Sequence, residues 1–108
     1  MNLPMGSPVF FHVGVFKTGH GKVPHLVFRE NPSGKDTRKI CAELKSLVRR
    51  FRGKTIVLNF INVRWINLDL IMCLVDISKT KTLVFNRVNK NIRYILREWF
   101  SENLFFIR

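Results

Sequence analysis

Acidic residues are scarce in this chain: seven Asp and Glu stand against nineteen Lys and Arg over 108 residues, a formal charge of +12. Self-repulsion on that scale is ordinarily offset by a polyanionic partner, nucleic acid ahead of an anionic membrane surface. A protein that lies on membranes carries a basic amphipathic terminal helix, and neither terminus reads that way. Cysteine is as sparse. Cys41 and Cys73 fall inside apolar runs with no spaced framework, which argues against a disulfide scaffold or a zinc module and for a reducing, intracellular compartment. Long hydrophobic runs are missing too, since the stretch from Leu68 to Ile77 is too short and too charge-interrupted to span a bilayer. The first sixteen residues hold no charged side chain and are broken by Pro4, Gly6 and Pro8, so no secretory signal is expected. Alanine occurs once, at Ala42, against ten phenylalanines and nine asparagines. Phe, Asn, Ile and Lys are the residues of AT-rich codons, which fits a low-GC genome such as that of an organelle, the mitochondrion included, a phage or an endosymbiont.

What is present reads as a single α/β domain over 1–108, with residues 1–8 as a flexible N-terminal segment. Val9 to Phe16 and Val23 to Arg29 are β-branched and aromatic, a hairpin with its turn in "KTGHGK" and Pro24 at a strand start or edge. "ENPSGKD" is a loop running into a helix, with Ser33 or Asp36 as its N-cap. From Asp36 to Phe51 the residues Ile40, Leu44, Leu47, Val48 and Phe51 form one apolar stripe, with Arg38, Lys45, Arg49 and Arg52 on the opposite side and Gly53 as C-cap. "KTIVLNF" is the strongest strand, expected at the centre of the sheet. Leu68 to Ile77 is a short helix, "KTLVFNRV" a second buried strand, and Asn89 to Phe100 a helix capped by Asn89 with Ile92, Ile95, Leu96 and Trp99 inward. "NLFFIR" closes the chain as an edge strand. The expected architecture is a mixed β-sheet of four to five strands with an N-terminal hairpin and about three helices packed on it.

The order of elements, with "IVLNFINVRWINLDLIMCLVDI" followed by "KTLVFNRVNKNIRYILREWF", resembles the STAS domain of sulfate transporters and anti-sigma-factor antagonists. The likeness covers about residues 54 to 108 and, more loosely, the hairpin. It implies a STAS-like sheet and a regulatory junction between the central strand and the following helix. In the family that junction carries aspartates and phosphorylatable serines. Here Asn59 and Asn67 stand at the aspartate positions, and Leu68 and Asp69 at those of the serines, so a phosphorylation switch has no acceptor. Asn67 and Asp69 are then helix-capping residues, or a protein-interaction site of Asn67, Leu68 and Asp69 that regulates a partner without phosphorylation.

No catalytic constellation emerges. His12, His20 and His25 are strewn over the hairpin without metal spacing, and "GVFKTG", from Gly14 to Gly19, resembles a phosphate loop only superficially, being followed by His20 and a strand. Cys41 and Cys73 read as core, the carboxylates form no acid–base pair, and neither enzyme activity, a metal nor a cofactor is expected. The basic residues remain. Lys35, Arg38, Lys45, Arg49, Arg50, Arg52, Lys54, Arg64, Lys90, Arg93 and Arg97 are the candidate nucleic-acid contacts, in rows suited to phosphates, with Lys17 and Lys22 extending the field. Phe10, Phe11, Trp65 and Tyr94 are candidates to stack bases where exposed. The expected function is a small basic RNA-binding structural protein, a component of a ribonucleoprotein such as a ribosomal protein. Its partners would be RNA, rRNA foremost, and neighbouring proteins of the assembly.

Overall fold

A computed structural model describes residues 8–19, 21–100 and 105–107. The chain runs β1 (Phe11–Thr18), β2 (Gly21–Phe28), α1 (Thr37–Arg50), β3 (Thr55–Asn59), α2 (Leu68–Ser78), β4 (Thr82–Asn86), α3 (Lys90–Phe100) and β5 (Phe105–Ile107). The five strands form one mixed sheet in the order β1-β2-β3-β4-β5. β1 and β2 are the antiparallel hairpin, and every later pairing is parallel. Three crossovers thus step to the next strand in the same direction. Because such crossovers are right-handed, they place α1, α2 and α3 on one face of the sheet. The two layers fit the smallest dimension of the molecule, 23 Å.

Alternation along the strands decides which residues meet the helices. Phe11, Leu26, Phe28, Ile56, Leu58, Leu83 and Phe85 point at Ile40, Leu44, Leu47 and Val48 of α1, Leu70, Ile71, Leu74 and Ile77 of α2, and Ile92 and Leu96 of α3 in one buried cluster. Phenylalanine makes the spine of that core: ring centroids follow one another from Phe11 to Phe28 (4.8 Å), Phe60 (5.1 Å) and Phe85 (5.6 Å), which also meets Phe100 and Phe106. Offset and edge-to-face pairs of this kind each add about 0.5–1.5 kcal/mol beyond area burial. The other face carries His12, Phe16, Val23, His25, Val27, Val57, Asn59, Val84 and Asn86 by register. Central β3 is buried on both sides, as its unbroken apolar run predicts: Val57 is 1 % exposed even away from the helices, flanked by His25 and Val84.

The boundaries differ from the sequence reading for identifiable reasons. β1 begins at Phe11 because the amides of Val9 and Phe10 donate to the carboxylate of Glu43, at 2.9 and 2.7 Å, which ties them to α1. The expected turn over Lys17 to Lys22 is shorter, since those lysines pair directly and the ladder runs on to Thr18 and Gly21, where Gly21 takes φ +125°. Pro24 is four residues into an interior strand, at a point where β3 has not begun to pair; the β2–β3 ladder starts at His25. Gly53 does not cap α1. The helix stops at Arg50 with Phe51 extended, and Lys81 Nζ donates to the carbonyls of Phe51 (2.6 Å) and Gly53 (2.5 Å) at that end. Asp36 holds the N-cap position without a side-chain cap bond, and Ser33 is used elsewhere. Trp99 is 47 % exposed rather than inward, because Phe100 packs on Phe85 in its place. The 1–8 segment, apart from Pro8, lies outside the described residues, as do His20 and, of "NLFFIR", Asn103, Leu104 and Arg108.

Candidate nucleic-acid interface

The β2–α1, β3–α2 and β4–α3 loops all lie at the carboxyl ends of parallel strands, the end where open α/β sheets bind ligands. Asparagine joins them, since its side chain supplies both a donor and an acceptor. Asn31 Oδ1 accepts from the amides of Arg64 (2.8 Å) and Trp65 (3.4 Å), and Asn62 Nδ2 donates to the Phe28 carbonyl at 2.9 Å. Ser33 Oγ donates to the Trp65 carbonyl at 3.2 Å and accepts from the Asn67 amide at 2.8 Å. Asn67 caps α2 by accepting from Leu70 N (2.9 Å) while its amide group donates to Thr37 Oγ1 (3.0 Å) on α1. Asn89 does the same for α3, accepting from Ile92 N (2.9 Å) and donating to the carbonyls of Val63 and Arg64. The result is a rigid rim from which three helix N-termini, the positive ends of their dipoles, emerge together.

Arg29, Lys35, Arg64, Arg87 and Lys90 are exposed on this rim beside Trp65, which is 53 % exposed. Of these, Lys35, Arg64 and Lys90 are legible in the sequence as basic loop or helix-start residues. Arg29 and Arg87 were missed. Their signal is positional, one residue beyond the end of a parallel strand, and it appears only once strand ends are placed. Arg87 has φ +54°, a left-handed conformation that costs a non-glycine residue roughly 1–2 kcal/mol and is worth a functional reading where it occurs.

The remaining predicted cations divide four ways. Arg38, Lys45 and Arg49 line a groove between α1 and α2 whose other wall carries Asp69, Met72 and Asp76. Lys45 is therefore committed: its Nζ is 3.3 Å from Asp76, which also meets Lys79 at 3.5 Å. Lys45, then Lys79, holds the Asp76 carboxyl below the usual carboxylate range. The acid that faces α1 comes from α2, which spacing along α1 alone does not show. Lys90, Arg93 and Arg97 line a second groove, along α3, with Tyr94 (70 % exposed). Arg93 and Arg97 also stack over the Phe106 ring, at 4.8 and 5.9 Å, and anchor β5. Arg50, Arg52 and Lys54 sit at the opposite end of the sheet from the rim, where α1 ends and β3 begins. Lys17 and Lys22 lie near the hairpin tip.

Of the aromatic candidates, Trp65 and Tyr94 are exposed, while Phe11 is core and Phe10 half-buried against it. The alternative site is also accounted for. Asn67 is the α2 cap, and Leu68 and Asp69 lie exposed in the first turn; Ile61 and Trp65 of the preceding loop and Met72 of α2 are exposed as well. Gly14 to Thr18 is strand, so the loop-like glycine spacing there forms no phosphate cradle. Among the described residues no cluster of three or more His, Cys, Asp or Glu is placed to hold a metal, and no helix is long and apolar enough to cross a membrane. No protein-family model matches the sequence, and a search of curated proteins returns no match.

Proposed function

We propose that this protein is a small RNA-binding structural component of a ribonucleoprotein, of the ribosomal-protein kind, that docks on phosphates without turnover. The observation that carries this reading is the convergence of Arg29, Lys35, Arg64, Arg87 and Lys90 on a rim that also presents three helix N-termini. Cations on short, hydrogen-bonded loops lose little entropy on binding, and the dipoles add fixed positive potential. Exposed Trp65 and Tyr94 offer rings for unpaired bases, and the grooves of α1 and α3 extend the track. The partners are RNA, rRNA foremost, and neighbouring proteins of an assembly in a reducing compartment such as an organelle matrix.

The test is titration of the full chain with mixed-sequence single-stranded RNA over a range of salt. The logarithm of affinity falls linearly with that of salt, and each rim cation replaced by glutamate flattens the slope by about 1. Arg64→Glu and Arg87→Glu weaken binding equally across sequences, whereas Lys54→Glu, at the far end, has a smaller effect. Binding that ignores salt, or losses as large at Lys54 as at Arg64, sinks the reading.

A second reading rests on the apolar exposure of Leu68 beside Asp69 at the start of α2. There the chain would be a STAS-like module that regulates a protein partner through a junction without a phosphorylatable serine. A nuclease-treated pull-down separates the two: loss of a stoichiometric protein on Asp69→Lys, with RNA affinity retained, favours the module.

A further inference from the structure

The geometry points to Cys41 and Cys73 as a dithiol that hydrogen peroxide converts reversibly into an intramolecular disulfide, a modification site independent of the RNA reading. The sequence places the two in separate apolar runs, and the fold brings them together. Cys41 lies on α1 and Cys73 on α2, in the groove also lined by Arg38, Lys45 and Arg49. Cys73 Sγ donates to the Cys41 carbonyl at 3.9 Å, which sets it against the backbone that carries the other thiol, and both side chains line the one groove. Both are free.

Their surroundings divide the work. Cys41 is half-buried at the groove wall and open to a small oxidant, while Cys73 is 4 % exposed. The neighbouring Cys73 thiol lowers the Cys41 pKa and the Lys45 charge adds to this, while burial and the Asp69 charge oppose it. Cys73 is pushed up, first by the Cys41 thiol and then by burial. Cys41 is therefore the thiolate that attacks, since the thiolate is the nucleophile. Its sulfur takes one peroxide oxygen as the O–O bond breaks, giving a sulfenic acid and releasing hydroxide. The Cys73 sulfur then attacks the sulfenic sulfur. Its proton leaves with the displaced hydroxyl as water, and two thiols and one peroxide have become one disulfide and two waters. A dithiol reductant reverses the step by exchange. The bond fastens α1 to α2 across a separation of 32 residues.

The experiment treats the full chain with hydrogen peroxide and reads intact mass, thiol alkylation and the unfolding midpoint. The expected product is a monomer lighter by about 2 Da, closed to alkylation at both positions, restored by dithiothreitol, with a midpoint raised by on the order of 10 °C. Cys73→Ala should stop at a dimedone-reactive sulfenic acid on residue 41, and Cys41→Ser should show no mass loss. Thiols that remain alkylatable in the wild type, or oxidation that yields covalent dimers, overturn the proposal without recourse to either variant.

Discussion

His25 shows how much a single side chain owes to its neighbours. On the helix-free face of the sheet it meets Phe16 edge-on at 5.5 Å, and its Nε2 lies 3.3 Å from the amide nitrogen of Asn59. Burial lowers its pKa from the ordinary 6.5. The unfolded chain therefore binds a proton more readily than the folded one, and stability is lost as pH falls below 6.5 toward the folded pKa. We expect the unfolding midpoint to drop between about pH 7 and pH 5, and the drop to shrink in His25→Gln; a wild-type midpoint flat over that range contradicts it. Asp76, whose pKa is also lowered, acts in the same sense but in a lower window, losing its contribution only as pH falls below 3.8. Nothing in the sequence shows what Asn59 meets, since its partner His25 is 34 residues away. Cys41 and Cys73 are the same case: a thiol within an apolar run looks alike whether leucine or another thiol faces it.

At the level of elements, the helices were legible because their apolar residues recur with helical period, and β3 because its apolar run is continuous. Their ends were less so. Glu43 removes Val9 and Phe10 from β1, and Lys81, rather than Gly53, attends the carbonyls at the end of α1; both are long-range side-chain choices invisible to local propensity. Asn89 was readable as a cap, and Asn67 as a capping residue, but not that each also holds a second loop. Replacing Asn67 or Asn89 by alanine removes a cap worth about 1 kcal/mol, and up to 2, together with bonds to Thr37 or to Val63 and Arg64. Urea unfolding should therefore show a larger loss than a cap alone, about 2–3 kcal/mol. Losses under about 1 kcal/mol would mean the rim is not held this way.

For the whole molecule, charge and topology act together. A net +12 on a domain of 13.3 Å radius of gyration repels itself, and salt screens that repulsion. Sodium chloride raised to about 0.5 M should lift the unfolding midpoint of the free chain by a few degrees even as it weakens RNA binding; a midpoint that falls with salt would show that attractive pairs such as Lys45–Asp76 outweigh the repulsion. The sequence by itself determined the class of fold, the central strand, the three helices and the cationic excess, because periodicity and composition are local properties carried by each segment alone. Only the tertiary structure decided which cations act together. Sequential parallel pairing sends every helix to one face and every βα loop to one end, so residues as distant in the chain as Arg29 and Lys90 share a rim. Lys45, a candidate nucleic-acid contact in the sequence, is paired with an acid on the neighbouring helix, because side-chain partners are set by packing and not by spacing along the chain.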